Sequence, residues 1–318
     1  MDKERAYIDV VDSVITISTN ESVLHQEDAI ALKEIIKGIK NGLEIFSNNY
    51  LIIDDDIFGD YSGVDIFLIT IYLTKKAIQS IPKTVQIFET TLQQDNLSDL
   101  NIKVLTIHDI KTRFFELPES IASVSIHLEP GDNQDLTIYC TDSLREVKVY
   151  EGARRIELVN CNNLESLQMF EVEEYVYGDF MNYLSNLSVY DSNVPLNYLD
   201  KFRNLKSYDG YIDKSVLKHL GGVRQLSSKE DVHINIRDIP NVVTKFNARI
   251  VDKEGEYIHS DKILQLRPNI EETWLVGGDV LDRYPAVRFV YDNKEEASGV
   301  NEAIERHNKK LVDLLTLS

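Results

Sequence analysis

Acidic side chains that could hold a metal ion are concentrated between residues 54 and 60. Asp54, Asp55, Asp56 and Asp60 would supply carboxylate oxygens, the ligands that calcium and magnesium prefer. Their spacing lacks the alternating acids and the turn glycine of a calcium-binding loop. We therefore expect a solvated loop here, and we predict no metal and no cofactor for this chain.

The nucleophiles and bases of the chain have no spacing typical of a catalytic site. No pair of histidines has the spacing of a metal-binding helix, and the sequence has neither a Gly-x-Ser-x-Gly elbow nor a phosphate-binding loop. Cys140 and Cys161 have no histidine close by in sequence. A disulfide between them is geometrically feasible, but without a visible secretion signal we expect two free thiols. The sequence predicts a protein that is not an enzyme.

Composition limits the class of partner. The formal net charge is −19, with 43% hydrophobic and 27% charged residues. Such a negative charge argues against nucleic acid or an anionic membrane as the main partner, because both are polyanions. The longest apolar run, Val64 to Leu73, is too short to span a bilayer. We predict a cytoplasmic protein that binds another protein through a basic segment of that partner, with an oligomeric state that the sequence does not set.

A five-residue sequence motif recurs between residues 85 and 209. It consists of an apolar residue, any residue, a second residue that is usually apolar, an aromatic residue or histidine, and usually an acid. The copies begin at Val85, Leu105, Val124, Val147, Leu167, Leu187 and Leu205. A spacing of about 20 residues indicates a stacked solenoid of parallel strands. We expect these seven side chains to form one buried row.

Further apolar patterns predict the secondary structure in the rest of each coil. A second apolar ladder lies between the copies, at Leu136, Ile138, Ile156, Leu158 and Val176. It predicts two short strands in each middle coil and no helix there. Short helices are predicted at 195–202 and 213–220, and an amphipathic helix at 301–315 is expected to cap the last coil.

The spacing of the apolar residues resembles the leucine-rich repeat, whose strand reads Leu-x-x-Leu-x-Leu. The best copies are Leu144-x-x-Val147-x-Val149, Leu164-x-x-Leu167-x-Met169 and Leu184-x-x-Leu187-x-Val189. Ile156-x-Leu158-x-x-Cys161-x-x-Leu164 is also similar to the strand and cysteine spacing of the repeat. The resemblance covers residues 81–226 and implies an α/β solenoid with a parallel β-sheet on its concave face. It also implies a protein-binding function.

This interpretation predicts one domain over residues 1–318. Residues 1–80 would form an N-terminal cap with irregular coils, residues 81–226 the regular repeats, and residues 227–318 irregular coils and the helical cap. The middle coils would be rich in β-structure, and short helices would appear towards the C-terminus.

Strand parity predicts a binding surface, because alternate side chains of a strand point to opposite faces. If Leu167 and Met169 point into the core, then Phe170 points to solvent, and the same holds for the aromatic position of every coil. The predicted binding residues are the aromatic stripe Phe88, His108, His127, Tyr150, Phe170, Tyr190 and Tyr208 and the acids Glu151, Glu171, Asp191 and Asp209. Exposed aromatics bordered by charge are typical of interface centres.

Two alternatives to a binding scaffold are compatible with the sequence. A parallel β-helix enzyme acting on polysaccharide would also have two strands per coil and rows of acids and aromatics. Its chemistry needs two carboxylates in distinct environments, whereas the acids after these strands are all alike. A purely structural or assembly role would use the stacked rings only to stabilise the sheet.

Overall fold

The computed structural model describes residues 5–92, 94, 97–108, 110, 113–128, 134–151, 153–172, 174–177, 183–190, 192, 194–276, 280–290 and 298–316. The chain divides into two units, Met1–Met181 and Asn182–Ser318. The single domain expected from the sequence stays a prediction. No helix among the described residues combines the length and the apolar character needed to cross a bilayer.

The first unit is built mainly from parallel strands. Its strands are β1 (Tyr7–Val11), β2 (Val14–Ser18), β3 (Leu43–Ile53), β4 (Asp65–Leu73), β5 (Ile87–Thr90), β6 (Val104–His108), β7 (Phe114–Glu116), β8 (Ser123–His127), β9 (Gln134–Tyr139), β10 (Glu146–Tyr150), β11 (Ala153–Val159), β12 (Ser166–Phe170) and β13 (Glu174–Tyr177), and its helices are α1 (Gln26–Gly38) and α2 (Lys75–Gln79). One sheet has the order β1-β2-β3-β4-β5-β6-β8-β10-β12, and a second has the order β13-β11-β9-β7. Apart from the antiparallel hairpin β1–β2, all of these pairs are parallel.

The register of the first sheet confirms the buried row in the middle coils. Leu105, Val124, Val147 and Leu167 lie opposite one another on β6, β8, β10 and β12, and all four are fully buried. Successive residues of a strand face opposite sides of the sheet, so the residues before and after each buried one are only half-buried. A large parallel sheet with a few short helices fits the predicted α/β solenoid.

The second sheet confirms the two strands per coil that the interleaved ladder predicted. Ile156 and Leu158 of β11 lie opposite Leu136 and Ile138 of β9. On β13 the register differs from the prediction, since Val176 lies opposite Glu157 rather than in the apolar row. Only two residues separate β10 from β11, so no helix lies between these two strands.

The predicted register is wrong in the coil of β5. Phe88 was expected on the solvent face, but it is fully buried and lies opposite Leu105, in the place expected for Val85. Ile87, expected in the core, is 41% exposed. Val85 is also buried, ahead of the strand. The chain therefore enters this strand three residues later than the apolar pattern indicates.

The free thiols expected for the two cysteines are not found. Cys140 and Cys161 form a disulfide with a Cα–Cα distance of 5.0 Å, within the usual range for such bonds. They follow β9 and β11, and the pairing of these two parallel strands brings equivalent positions of adjacent coils side by side. The backbone N–H of Cys140 donates to the carbonyl of Val159 at 2.9 Å, which extends that pairing up to the disulfide.

The second unit continues the strand-and-turn pattern with helices in place of a second sheet. Its strands are β14 (Asn186–Tyr190), β15 (Ser207–Asp209), β16 (Gln225–Ser227), β17 (Lys245–Asn247), β18 (Glu272–Trp274) and β19 (Arg288–Val290), which pair in this order and in parallel. Its helices are α3 (Leu196–Leu199), α4 (Lys214–Leu217), α5 (Ser260–Leu266) and α6 (Ser298–Thr316). The expected short helices at 195–202 and 213–220 are confirmed as α3 and α4, each only one turn long.

A second error of register occurs at β15. Tyr208, predicted to be exposed, is 4% exposed and lies opposite Leu187 and Leu226. Its hydroxyl donates a hydrogen bond to the carbonyl of Tyr211 at 3.0 Å, which satisfies the only polar group of the side chain. Leu205 is buried as predicted, but it precedes the strand.

Helix α6 covers the last strand of the second unit. The side-chain amide of Asn308 accepts from the backbone N–H of Phe289 at 3.1 Å and donates to its carbonyl at 2.7 Å. His307 hydrogen bonds to the carbonyl of Val287 at 2.8 Å, and Ile304 is buried. The helix thus pairs the outer backbone groups of β19, as a further strand would do.

The corrected register of β5 can be tested with two adjacent residues. Phe88→Ala should lower the free energy of unfolding by about 3–5 kcal/mol, because it removes a fully buried ring and leaves a cavity. Ile87→Ala, on the solvent face, should cost less than about 1 kcal/mol. Chemical denaturation measures both. A larger loss for Ile87→Ala than for Phe88→Ala would restore the register predicted from the sequence.

The covering role of α6 predicts the effect of removing one amide. Asn308→Leu should destabilise the second unit by about 1–3 kcal/mol, because the N–H and carbonyl of Phe289 lose their partners. Asn301→Leu makes the same chemical change on the first turns of the helix without touching β19 and should have little effect. Hydrogen exchange of the Phe289 amide is a direct readout, and protection equal to wild type in Asn308→Leu would contradict the assignment.

Candidate functional site

The solvent side of the first unit's larger sheet forms a surface that we call the exposed face. Strand register arranges its side chains in rows that run across the strands. The middle row contains Glu44, Phe67, Glu89, Thr106, Ser125, Lys148 and Gln168. Strand parity accounts for Thr106, Lys148 and Gln168 on this face, because each follows a buried residue of the row Leu105, Val147 and Leu167.

Four aromatic rings stack in the next row towards the strand ends. The ring centroids of His108 and His127 are 4.4 Å apart, those of His127 and Tyr150 are 4.4 Å apart, and those of Tyr150 and Phe170 are 4.8 Å apart. The ring planes differ by only 11–16°. Parallel strands lie about 4.8 Å apart, so one ring at the same position of each strand produces this stack directly. We call these four side chains the ring stack.

The ring stack presents its edges to solvent rather than its faces. Each inner ring, His127 and Tyr150, has a neighbour on both sides, so a ligand can reach only the ring edge and its polar atoms. A sugar ring or a planar guanidinium group needs an open aromatic face for stacking, and the inner rings offer none. Contacts to this surface are therefore edge contacts and hydrogen bonds to the imidazole and phenol groups.

Electrostatic interactions act at the His108 end of the ring stack. The Nε2 atom of His108 lies 3.1 Å from Oε1 of Glu89, and both side chains are about one-third exposed. Burial and the neighbouring His108 hold the pKa of His127 below its usual range, although Glu89 and Glu151 act in the opposite direction. Burial and His108 thus favour the neutral form of His127.

A shallow recess of about 260 Å³ lies beside this end of the ring stack. Three carboxylates line it, those of Glu44, Asp65 and Glu89, together with the half-exposed side chains of Phe67 and Ile87. We call these five side chains the acidic recess.

A glycine shapes the wall of the acidic recess. A Cβ atom at Gly42 would lie 2.6 Å from Oδ2 of Asp65, so only glycine lets the Asp65 carboxylate approach the backbone this closely. Sequence reasoning missed the recess because the register of β4 could not be fixed from its continuous apolar run. One signal was present, since Leu43-Glu44-Ile45-Phe46 fits the first four positions of the recurring motif and so assigns Glu44 to the solvent face.

Further along the exposed face, charged groups are paired. The carboxylate of Glu146 lies 3.1 Å from Nζ of Lys148 and accepts from the hydroxyl of Ser123 at 2.6 Å. Among the described residues of the sheet rows, Glu44, Asp65 and Glu89 have no such ammonium partner. The acidic recess therefore carries negative charge that is not paired with a lysine, and Glu89 has the imidazole of His108 beside it.

The second unit has a separate polar group on its own sheet. The hydroxyl of Tyr190 donates to the carboxylate of Asp209, and Nζ of Lys229 lies 4.3 Å from the centroid of the Tyr190 ring. Burial raises the pKa of Asp209, whereas the Tyr190 hydroxyl and Lys229 favour its charged form. Asp209 lies opposite Ser188 and Ser227, so it is part of the sheet surface and not of an acidic rim after the strands.

The remaining predicted acids have a local structural role or lie outside the described residues. Glu151 and Glu171 are exposed and follow β10 and β12 with φ angles of 55° and 54°. Such left-handed positions turn the chain at the corner of the coil. Asp109 and Asp191 lie outside the described residues. Phe88 and Tyr208 belong to the core, so the predicted stripe reduces to the ring stack and, in the second unit, Tyr190.

The acid-rich connection at residues 54–60 is held by lysines of the two helices. Asp56 lies 3.0 Å from Lys33 on α1, and Asp55 lies 2.8 Å from Lys76 on α2. Across the described part of the chain, no group of three or more histidine, cysteine or acidic side chains is placed to hold a metal ion.

The depressed pKa of His127 predicts how stability depends on pH. The folded state binds this proton less readily than the unfolded chain, so the free energy of unfolding has its full value above pH 6.5 and falls as the pH drops from 6.5 through the folded pKa. Denaturation at several pH values should show a smaller loss in His127→Phe, which keeps a ring in the stack but does not titrate.

An NMR titration separates the two causes of this shift. The ring signals of His127 should titrate below 6.5, and His108→Phe should raise that midpoint because it removes the repelling imidazolium and keeps the burial. A His127 midpoint at or above 6.5 in the wild-type protein would contradict this account of the ring stack.

Comparison with known proteins does not assign the chain to a family. No protein-family model matches it, and no curated protein matches it. Among solved structures it is similar to the crystal structure of CroV588, described as a circular LRR protein. The match covers 91% of this chain and 70% of that chain, with 9% sequence identity and a TM-score of 0.22. A TM-score this low carries no argument about fold or function.

Proposed function

We propose that the exposed face of the first unit is a protein-binding surface, and that it takes an extended basic segment of a partner. The observation that carries this proposal is the ring stack itself, four aligned aromatic side chains that remain half-exposed on a rigid sheet. Aromatic side chains are enriched where binding energy is concentrated.

The acidic recess supports a cationic ligand. A lysine or arginine of the partner can enter a space of about 260 Å³ whose walls carry the carboxylates of Glu44, Asp65 and Glu89. The half-exposed Phe67 and Ile87 can cover the apolar stem of such a side chain. The next residues of the segment would then run along the edges of the ring stack, with hydrogen bonds to Tyr150 and His127.

We further propose that the coils are leucine-rich-repeat-like and that the exposed face is their concave side. The parallel sheet and the spacing of about 20 residues support this assignment. A concave sheet would present the middle row and the ring stack to one elongated partner. On this proposal the protein is a scaffold without catalysis.

Selection from a displayed library of random peptides tests the proposal without a known partner. The selected peptides should be enriched in lysine and arginine, and their affinity should fall with rising salt because the side chains of Glu44 and Glu89 are partly exposed. The double variant Tyr150→Ser/Phe170→Ser should weaken binding by at least about tenfold. Glu44→Gln/Glu89→Gln should weaken it and reduce the salt dependence.

Matched controls on the second sheet separate binding from stability. Tyr139→Ser removes an exposed tyrosine from β9, and Glu157→Gln removes a carboxylate from β11, so neither should change affinity. Circular dichroism and melting establish that each variant is folded. If folded stack variants bind every selected peptide as tightly as wild type, the ring stack only stabilises the sheet.

A further inference from the structure

A cavity of about 530 Å³ lies in the second unit, and none of its lining residues belongs to the strands of the sheet. Its walls are residues 233–238, residues 251–253 with Ile258, two positions of α5 and Lys214 of α4. Backbone bridges from Val232 to Ile250 and from Val251 to Tyr257 hold two of these segments in place. The volume is in the range of pockets that bind small molecules.

The inner surface of this cavity is apolar. The segment that runs from the bridge at Val232 into the 3-10 helix Ile236–Asp238 buries Ile234 and Ile236, which are 9% and 3% exposed. Val251 is 7% exposed, and Ile258 is half-buried. Leu266 is 42% exposed at the opening. These side chains can cover the hydrocarbon part of a ligand.

The opening of the cavity is positively charged, in contrast to the chain as a whole. Its lining includes the cationic side chains Lys214, Arg237, Lys253 and Lys262 and the carboxylates Asp238 and Asp252. In the described part of the chain, no carboxylate pairs with Arg237, Lys253 or Lys262.

The two carboxylates of the cavity already have partners. Asp238 lies 4.0 Å from Lys214. Asp252 accepts from the backbone N–H groups of Glu254 and Glu256 at 3.0 and 2.9 Å, so it closes a turn. Three cationic groups therefore remain for a ligand.

We propose that this cavity binds a small amphipathic anion, a molecule with an apolar body and a carboxylate, sulfonate or phosphate group. The apolar body would lie on Ile234, Ile258 and Leu266, and the anionic group would meet Arg237 and Lys262. Neither feature is sufficient alone, because inorganic phosphate leaves the apolar walls exposed to water and a neutral hydrocarbon leaves the cations without a counterion. This inference is independent of the surface proposed on the first unit.

Three probes of related structure test both requirements on the full chain. 2-Naphthoate carries ring and anion, naphthylmethylammonium carries the ring with the opposite charge, and inorganic phosphate carries charge without the ring. Titration calorimetry should show that naphthoate binds at least about tenfold more tightly than either of the others. Methyl NMR signals of Ile234, Ile258 and Leu266 should shift with naphthoate and locate it.

Substitutions at the opening identify the charges involved. Arg237→Gln/Lys262→Gln should weaken naphthoate binding by about tenfold, since the anion loses two charge-assisted hydrogen-bond donors. Lys218→Gln removes an exposed ammonium just after α4, outside the cavity, and should leave binding unchanged. Melting curves check that the variants are folded.

Three outcomes would overturn the proposal. One is equal binding of naphthoate and naphthylmethylammonium, and another is naphthoate binding that the double variant does not weaken. The third is binding of an acidic, leucine-containing peptide at this cavity without any binding of naphthoate, which would assign the cavity to a protein partner instead.

Discussion

Hydrogen bonding between parallel strands holds Leu105, Val124, Val147 and Leu167 in one row, and it fixes the register of the first unit's larger sheet. A shift of one residue would turn every buried side chain of a strand to solvent, so the apolar row and the backbone pairing specify each other. The residues that alternate with the buried ones along each strand must therefore point to the opposite, solvent-facing side. The chemistry of the exposed face is therefore set by the same register that forms the core.

This constraint explains both the ring stack and its electrostatics. Rings at one position of successive parallel strands must lie about as far apart as the strands themselves, which is also a favourable stacking distance. Stacking then covers the faces of His127 and lowers its pKa by removing water from the imidazole. The stacking that covers the ring faces in the sheet therefore also favours the neutral form of His127.

Sequence reasoning found the middle coils because apolar alternation there admits a single register. It failed at β5 because two registers compete, and the apolar pair Val85 and Ile87 fits the pattern better than Phe88 and Thr90. The structure buries Thr90 nevertheless, since its hydroxyl donates to the carbonyl of Leu92 at 2.8 Å and accepts from the amide of Gln94 at 3.0 Å.

The same reason underlies the error at Tyr208, whose hydroxyl has a partner inside the core. Polar groups that are satisfied by local hydrogen bonds cost little to bury, and a pattern based on hydrophobicity cannot see those bonds. The aromatic position was identified correctly for His108, His127, Tyr150 and Phe170. The acidic recess escaped because it depends on the pairing of β3, β4 and β5, which a continuous apolar strand does not reveal.

The net charge of the chain predicted the acidic recess but not the positively charged opening of the cavity. A ligand interacts with the charges near its site and not with the total charge of the chain. Many acids of the chain are compensated, as Asp55 and Asp56 are by lysines of the helices. The recurring acids Glu151 and Glu171 turn the chain at a corner, so their repetition does not imply a partner. Among the described residues, carboxylates without a lysine partner line the acidic recess of the first unit, and three cationic groups without a carboxylate partner line the cavity of the second. The proposed anion site in a chain of net charge −19 is therefore consistent with local electrostatics, because the two carboxylates of the cavity are engaged in a turn and an ion pair.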